Sequence, residues 1–259
     1  MVSTAVLPDR WERILRIIQQ QGSATVQEIV QALGVSEATV RRDLARIARR
    51  GLIARTRGGA TLLQNVPYGP SPAESRNINP QGKQAVGREA ARLVKDGDTI
   101  ILDGGVTTCQ VARYLEARNI SVVTNSLEVV QVLFGRNDVR IVMIGGEISR
   151  LSGTAVGPQT DLQLQQLQAA KAFLGADALS QEVGLCSPDP QTAHTKRAMI
   201  HCARELVVVA DHTKLGKYAT YKVTPLESIT TLVTDSEADP AMLESFRMAG
   251  INVICAQLA

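Results

Sequence analysis

The sequence predicts an α/β protein in two parts, a small helical head that ends in a hairpin and a larger domain with a mostly parallel sheet. Apolar residues recur at helical spacing in the first 50 residues, and two short β-type runs follow them. Proline and glycine then cluster in residues 64–80. From residue 81, helical segments alternate with short apolar strands, which is typical of a parallel sheet covered by helices. We therefore predict a head at residues 8–63, a linker at 64–80 and an α/β domain at 81–259.

The head begins with two helices and the start of a third. Residues 9–20 carry apolar side chains at helical spacing. Thr25 and Glu28 match a capping box, in which each side chain binds the other's backbone amide at the start of a helix. Only a glycine and a valine separate the end of that helix from Ser36, a favoured N-cap residue for the next one. Two short helices joined by so tight a turn are typical of a helix-turn-helix.

The third helix, which Gly51 would end, has two distinct faces. At 100° per residue, Val40, Leu44 and Ile47 fall on one narrow stripe that can pack inward. The opposite face carries small and basic residues, namely Ala38, Arg42, Ala45, Arg46 and Arg49.

A hairpin follows the third helix. Residues 52–56 and 60–63 flank Arg57-Gly58-Gly59, a turn signal with an arginine at its tip. A helix-turn-helix followed by such a hairpin is a winged helix-turn-helix.

Charge is distributed unevenly between the two parts. Residues 1–63 contain ten arginines, no lysine and five acidic residues, a net charge of +5. The remaining 196 residues contain 18 basic and 20 acidic residues, a net charge of −2. Arginine neutralises DNA phosphates and can also donate two hydrogen bonds to guanine. The head is therefore predicted to bind double-stranded DNA; the alternative is a solvated arginine face on an ordinary surface helix.

The predicted DNA contacts come from the third helix and the hairpin. Ala38 and Thr39 would face base edges, and the arginines of the hairpin would reach a phosphate or the minor groove. The full predicted set is Ser36, Ala38, Thr39, Arg41, Arg42, Arg46, Arg49, Arg55 and Arg57.

Composition argues against several other classes of protein. No run of 18 apolar residues and no signal-peptide core occur, so we expect a cytoplasmic protein without a membrane span. Aromatic residues make up only 3% of the chain, too few to stack unpaired bases along a single strand. The cysteines are far apart and form no CxxC motif, so we expect small core residues rather than a metal site or disulfides; they are Cys109, Cys186, Cys202 and Cys255.

The α/β domain is predicted to alternate strands and helices. Ligands of such folds bind outside the carboxyl ends of the strands. The predicted helices are 85–94, 107–116, 127–134, 161–167, 193–203 and 240–249, and the predicted strands are 99–102, 121–124, 140–144, 171–174, 205–210, 230–234 and 252–255.

A glycine-rich turn follows the first of these strands. Asp103 and Gly105 lie between that strand and the next helix, and Thr107 and Thr108 begin the helix, where free amides and the helix dipole suit a phosphate. A mere tight turn with a threonine cap is the alternative. The spacing matches neither the GxGxxG fingerprint nor a Walker loop, so no nucleotide cofactor is predicted.

Polar residues follow two further strands. Thr124, Asn125 and Ser126 offer three consecutive hydrogen-bonding side chains, although Ser126 is also a plausible helix cap. Arg150 follows a Gly-Gly pair and is either an anion clamp or a surface residue.

An aspartate and a lysine form a candidate pair in the second half of the α/β domain. Asp177 follows a predicted strand and Lys196 opens a helix; such a pair could bind sugar hydroxyls, transfer protons or form a structural ion pair. The three histidines are expected to be solvated or at helix ends, and no metal site is predicted.

The strings SEATVRRDL and GLIARTRGGATLL resemble the DNA-binding signature of the DeoR family of bacterial transcriptional regulators. The resemblance covers essentially the whole chain after the first few residues. It implies a repressor, less often an activator, whose C-terminal domain senses a phosphorylated sugar or a related metabolite.

Motifs of the α/β domain continue this resemblance. The turn at residues 103–108 resembles the DxGTT phosphate loop of ribose-5-phosphate isomerase-like folds, with Val106 where a hydroxyl residue is usual. TNS, GG, GAD, KRAMI and ADxxKxG segments also match, and the resemblance of the last one implies that Asp211 and Lys214 lie at the same mouth. The predicted effector-binding set is Asp103, Gly105, Thr107, Thr108, Thr124, Asn125, Ser126, Arg150, Asp177, Lys196, Asp211 and Lys214.

Two functions remain open, a metabolite-responsive transcription factor and a sugar-phosphate isomerase-like enzyme with a DNA-binding head. The family often has a glutamate four residues before the lysine of the KRAMI segment, whereas this chain has Thr192. We therefore expect a regulator without catalytic residues, cofactor or metal. Operators are usually matched by symmetric dimers, so we also expect a homodimer or homotetramer.

Overall fold

The computed structural model describes residues 9–21, 23–49, 53–56, 58–62, 72–149 and 152–258. The chain divides into two compact units, residues 1–64 and 65–259. Among the helices of the described ranges, none is long and apolar enough to cross a membrane.

The first unit is a winged helix-turn-helix. Its two wing strands pair antiparallel, and a third strand, which the sequence analysis did not predict, pairs with the second of them. In chain order the elements are α1 (Asp9–Gln21), β1 (Ser23–Thr25), α2 (Val26–Leu33), α3 (Glu37–Arg49), β2 (Ile53–Thr56) and β3 (Gly59–Leu62).

The predicted signals for the helices of the head are confirmed where the structure describes them. Thr25 and Glu28 form the full capping box of α2, and Gly34 ends that helix with φ of 67°. The Ser36 hydroxyl accepts from the Thr39 amide at 3.3 Å. Gly51, the expected end of α3, lies outside the described residues.

The predicted apolar stripe of α3 forms the core of the head. Val40, Leu44 and Ile47 are fully buried against α1, α2 and the wing. Asp43 is buried beside them, which the sequence analysis did not foresee. Its carboxylate accepts from Arg10 Nε at 2.5 Å and from Trp11 Nε1 at 3.1 Å, so the buried charge is paired.

The second unit contains the predicted alternation, with additional short elements. In chain order it comprises α4 (Pro72–Asn77), α5 (Pro80–Ala91), β4 (Thr99–Leu102), α6 (Val106–Arg113), β5 (Ile120–Thr124), α7 (Leu127–Leu133), β6 (Val139–Met143), β7 (Glu147–Ile148), β8 (Ala155–Val156), α8 (Pro158–Leu164), β9 (Ala169–Gly175), β10 (Ala178–Ser180), β11 (Gly184–Ser187), α9 (Pro190–His201), β12 (Ala203–Val209), η1 (His212–Lys214), β13 (Tyr221–Thr224), η2 (Leu226–Ser228), β14 (Thr231–Asp235), α10 (Pro240–Met248) and β15 (Asn252–Ala256).

Helical structure occupies part of the segment predicted as a linker. Residues 64–71 of that segment lie outside the described residues. The rest contains α4, and α5 already begins at Pro80, five residues before the predicted start of that helix. Proline at the first position favours such a start, because its missing amide is not needed there.

The main sheet has seven strands, all parallel, in the order β15-β14-β12-β9-β4-β5-β6. Each face is covered, as alternate residues of β4 show: Ile101 belongs to one apolar cluster, whereas Ile100 and Leu102 belong to the other. The predicted parallel α/β fold is confirmed. Three buried cysteines are small core residues, as predicted, and Cys255 is half-buried; all four are free.

Two smaller sheets lie outside this alternation. Strands β10, β11 and β13 form an antiparallel sheet, and β7 pairs with β8. The sequence analysis predicted none of these five strands.

Candidate functional site

A pocket lies where the strand order of the main sheet reverses. From β4 the chain proceeds through β5 to β6 on one side, whereas β9 pairs with β4 on the other. Loops leaving such a switch point diverge to opposite faces, and ligands of open α/β sheets bind in the resulting crevice.

The pocket contains about 730 Å³ of empty space, part of it open to solvent. It gathers residues from α4, from the loops after β4 and β9, and from the start of α9. The lining residues are Pro72, Ser75, Asp103, Gly104, Gly105, Val106, Ser152, Thr154, Asp177, Ser187, Pro188, Asp189, Thr192 and Lys196.

Two glycines shape the start of α6 at the pocket wall. A Cβ at Gly104 would overlap the Thr154 methyl group, so a side chain there would require Thr154 to move. Gly105 is the N-cap residue with φ of 137°, and no side chain caps the helix. Because the first amides of a helix have no intrahelical acceptor, this end of α6 offers free donors and a partial positive charge to an anion.

The two threonines of this turn are both buried in α6. Thr108 is fully buried, and its hydroxyl donates to the Gly105 carbonyl at 2.9 Å. It therefore supports the turn. Thr107 is also buried, and neither residue is among those that line the pocket.

Lys196 and Asp103 form a buried ion pair at the floor of the pocket. The lysine Nζ donates to Asp103 Oδ2 at 2.8 Å and to the Gly175 carbonyl at 2.5 Å. Burial alone would lower the pKa of Lys196, but the charges of Asp103 and Asp177 outweigh it and raise that pKa. Lys196 is therefore a fixed cation and unsuited to act as a proton acceptor near neutral pH.

Two further carboxylates line the pocket, each with one oxygen bound to the protein. Asp177 Oδ2 accepts from the Ser187 hydroxyl at 3.0 Å. Asp189 Oδ2 accepts from the Thr192 amide at 2.6 Å and caps α9. Thr192 itself carries no carboxylate, but the same turn brings the carboxylate of Asp189 to the pocket.

The predicted TNS loop lies mainly beside the pocket. The Thr124 hydroxyl accepts from the Ser126 amide at 3.1 Å, and Asn125 Nδ2 donates to the Ala155 carbonyl at 2.9 Å. Ser126 caps α7, the alternative that the sequence left open, and lines a neighbouring cavity together with Arg113. Arg150 lies outside the described residues.

Asp211 and Lys214 lie one strand further along the sheet and are not among the residues lining the pocket. Asp211 is fully buried and pairs with buried Lys83 at 3.1 Å. Burial would raise the pKa of Asp211, but hydrogen bonding by Thr213 and the charge of Lys83 lower it. Burial lowers the pKa of Lys214.

His212 is half-buried and hydrogen-bonded, with its Nδ1 2.8 Å from Asp235 Oδ1. Potential metal-ligand atoms of Asp211, His212 and Asp235 lie within 4.8 Å of one another. However, the Lys83 ammonium already supplies positive charge to Asp211. The pairing of Asp211 with Lys83 and of His212 with Asp235 is therefore sufficient to explain why these groups lie together.

The head presents arginines on the outer face of α3. Arg42 and Arg46 are exposed, as is Arg55 on β2. Arg41 is also exposed but pairs with Glu37 on the same helix at 2.6 Å. Ser36 and Ala38 are exposed and Thr39 is half-buried. Arg57 and the side chain of Arg49 lie outside the described residues.

Several pocket residues were missed by the sequence analysis. Asp189 lies in a Ser-Pro-Asp-Pro loop, and the sequence analysis did not recognise this loop as the start of a helix. This pattern could have identified the cap, because aspartate before proline is a favoured helix start. Ser187 and Pro188 belong to the same loop, whereas Pro72, Ser75 and Thr154 lack any local signal.

Known proteins resemble both units. A family model described as a DeoR-like helix-turn-helix domain matches residues 10–66, and one described as the DeoR C-terminal sensor domain matches residues 78–236. The lactose phosphotransferase system repressor of Lactococcus lactis is 32% identical over 92% of this chain and 94% of its own length. The transcriptional regulator GlpR of Haloferax volcanii is 31% identical over 95% of this chain and 96% of its own.

Among solved structures, ribose 5-phosphate isomerase A of Methanocaldococcus jannaschii is similar with a TM-score of 0.39, at 24% identity, over 52% of this chain and 54% of the isomerase. Of these two relatives, one is named as a repressor and the other as a transcriptional regulator. By the match of both family models and of these relatives over nearly the full chain, this protein belongs to the DeoR family of transcriptional regulators.

Proposed function

We propose that this protein is a transcriptional repressor whose α/β unit binds a phosphorylated sugar and thereby changes the affinity of the head for its operator. The pocket at the strand switch point carries this proposal. It combines the uncapped start of α6, which suits a phosphate, with the carboxylates of Asp177 and Asp189, which can accept hydrogen bonds from sugar hydroxyls.

The names of the relatives agree with this proposal. The Lactococcus lactis relative is named as a repressor of a lactose phosphotransferase system. We extend from it to this chain only the class of function, repression that responds to sugar metabolism.

For the head, we propose that α3 reads the major groove. Its buried stripe fixes the helix on the core, while Arg42 and Arg46 remain exposed for base edges or phosphates. Arg55 and Arg57 would reach the backbone or minor groove from the wing. The set of Ser36, Ala38, Thr39, Arg41 and Arg49 completes the proposed contact surface.

We further propose that residues 8–63 act as the reader and residues 81–259 as the sensor, joined through residues 64–80, in a cytoplasmic homodimer or homotetramer. A symmetric operator has two half-sites and is matched by two heads. A single winged helix-turn-helix buries only a small interface with DNA.

A paired assay on the full chain tests the proposed function. Operator affinity is measured with and without each member of a sugar-phosphate panel, and the same mixtures are followed by NMR for isomerisation. We expect at least one sugar phosphate to change operator affinity, with no turnover. Turnover that Lys196→Ala abolishes, together with operator affinity indifferent to every ligand, would support the isomerase instead.

A further inference from the structure

We infer that the pocket selects singly phosphorylated sugars over ligands with a second anionic group, and that Asp189 is a residue that makes this selection. The inference rests on the proposed function and adds to it the charge of the effector and a specificity-determining side chain.

Among the described residues that line the pocket, acidic side chains outnumber basic ones. Asp103 and Lys196 neutralise each other at 2.8 Å. Asp177 is close enough to Lys196 and Lys214 for their charges to affect one another. Asp189, in contrast, takes part in none of the ion pairs found among the described residues.

Among the described residues that line the pocket, one wall suits an anion. At the start of α6 the backbone amides are free, and the hydroxyls of Ser152 and Thr154, which bind each other at 2.7 Å, lie beside them. The described cation of the pocket, Lys196, is held by two protein acceptors at its floor. A phosphate is therefore best placed at α6.

The wall formed by β11 and the start of α9 suits donors instead. Asp189 uses Oδ2 for the Thr192 amide, and Asp177 uses Oδ2 for the Ser187 hydroxyl. Each has a second oxygen that can accept from a sugar hydroxyl or an ammonium group. A second phosphate or a carboxylate would instead meet like charge, and such unfavourable contacts give specificity against the wrong ligand.

Asp189 can be neutralised without removing its structural role. Asparagine is as good an N-cap residue as aspartate, so Asp189→Asn keeps the cap of α9 and removes only the charge. Asp239→Asn is the matched control, because Asp239 caps α10 in the same way, through the Ala241 amide at 3.0 Å, and does not line the pocket.

The test measures dissociation constants by calorimetry on the full chain and on both variants. The ligands are matched pairs, fructose 6-phosphate with fructose 1,6-bisphosphate and glucose 6-phosphate with 6-phosphogluconate. In the natural chain the member with a single anionic group should bind about tenfold or more tightly than the other member of its pair. In Asp189→Asn this ratio should fall by about tenfold, as expected for the loss of one partly screened like-charge repulsion. Asp239→Asn should keep the ratio of the natural chain.

The outcomes separate the two levels of the proposal. If a bisphosphate binds as tightly as its monophosphate in the natural chain, or if Asp189→Asn leaves the ratio unchanged while the variant still binds sugar phosphates, the inference is wrong and the proposed function stands. If no member of the full sugar-phosphate panel binds, the proposed function fails and the inference fails with it.

Discussion

The inward face of α3 carries one charged residue, Asp43, beside its apolar residues. It lies among the buried residues of α3, yet it carries a charge that accepts from Arg10 and Trp11. Burial would raise the pKa of Asp43, but the hydrogen bonds and charge of Arg10 and the hydrogen bond of Trp11 lower it. The carboxylate therefore stabilises the head in its ionised form.

Replacing Asp43 by asparagine should lower the free energy of unfolding of the head by about 1–3 kcal/mol at pH 7, because a hydrogen bond to a charged group is lost. Since the folded-state pKa is lowered, the contribution of Asp43 is present above the unfolded-state pKa of about 3.9 and disappears as the pH falls through the folded-state value. The difference between the two chains should therefore narrow in acid.

Trp11 is the single tryptophan of the chain, so its fluorescence during urea unfolding reports on the head alone. Glu37→Gln is the control, because that residue forms only an exposed pair with Arg41, and such pairs contribute about 0–1 kcal/mol. An Asp43→Asn chain as stable as the natural one at pH 7 would show that the buried charge is not stabilising.

Arg42 tests the reading surface. It is exposed on the face of α3 opposite the core, so its truncation should leave the fold intact. Arg42→Ala should weaken operator binding by about 1–3 kcal/mol if the guanidinium binds a base, whereas Arg92→Ala, on exposed sensor surface, should not. Fluorescence anisotropy with operator DNA measures both. Unchanged affinity in the Arg42 variant would remove this residue from the DNA contact surface.

At the scale of elements, the wing depends on a close approach between β1 and β3. Gly59 pairs with Thr25, and a Cβ at Gly59 would overlap the carbonyl oxygen of Ala24. Gly58, its neighbour in the turn, has no atom near the position of an added Cβ. The two glycines therefore differ sharply in their tolerance of a side chain.

Gly59→Ala should destabilise the head by about 1–3 kcal/mol, because backbone atoms must move apart, and it should weaken operator binding as the wing shifts. Gly58→Ala should change the stability by no more than about 0.5 kcal/mol. Thermal unfolding and operator binding of both variants check this. Equal effects of the two substitutions would mean that β1 does not pack on the wing as described.

Elements with their own periodicity could be predicted from the sequence, and those held by distant partners could not. Helix α3 and strand β4 have long or strongly apolar patterns, and both are confirmed close to their predicted bounds. Strands such as β7 and β8, with two residues each, are too short to show alternation. The site follows the same division: a glycine-rich turn is visible locally, whereas Asp189 joins Asp103 only through the folded sheet.

At the scale of the whole molecule, regulation requires that pocket and operator be linked energetically. A ligand can change DNA affinity only if it binds one arrangement of the protein more tightly than another. With a typical coupling free energy of about 1–3 kcal/mol, a saturating sugar phosphate should change operator affinity by roughly 5- to 150-fold. By reciprocity, saturating operator DNA should change the affinity for that sugar phosphate by the same factor.

Both directions can be measured by calorimetry on one sample of the full chain. The Asp239→Asn variant should retain the coupling, since Asp239 caps α10 away from the pocket. If a sugar phosphate binds tightly but the operator affinity is the same with and without it, the protein binds the metabolite without responding to it.

The proposed function also predicts an oligomeric state, because a symmetric operator is bound by paired heads. The basic head carries a net charge of +5 in residues 1–63, whereas the rest of the chain carries −2. Because like charge disfavours contact between heads, we expect self-association to come from the α/β unit. That unit exposes large apolar side chains, among them Phe134 and Met248, each about four-fifths exposed. Light scattering at micromolar concentration should therefore give at least a dimer for the full chain and for residues 72–259. A monomer both with and without operator DNA would contradict the binding of paired heads to a symmetric site.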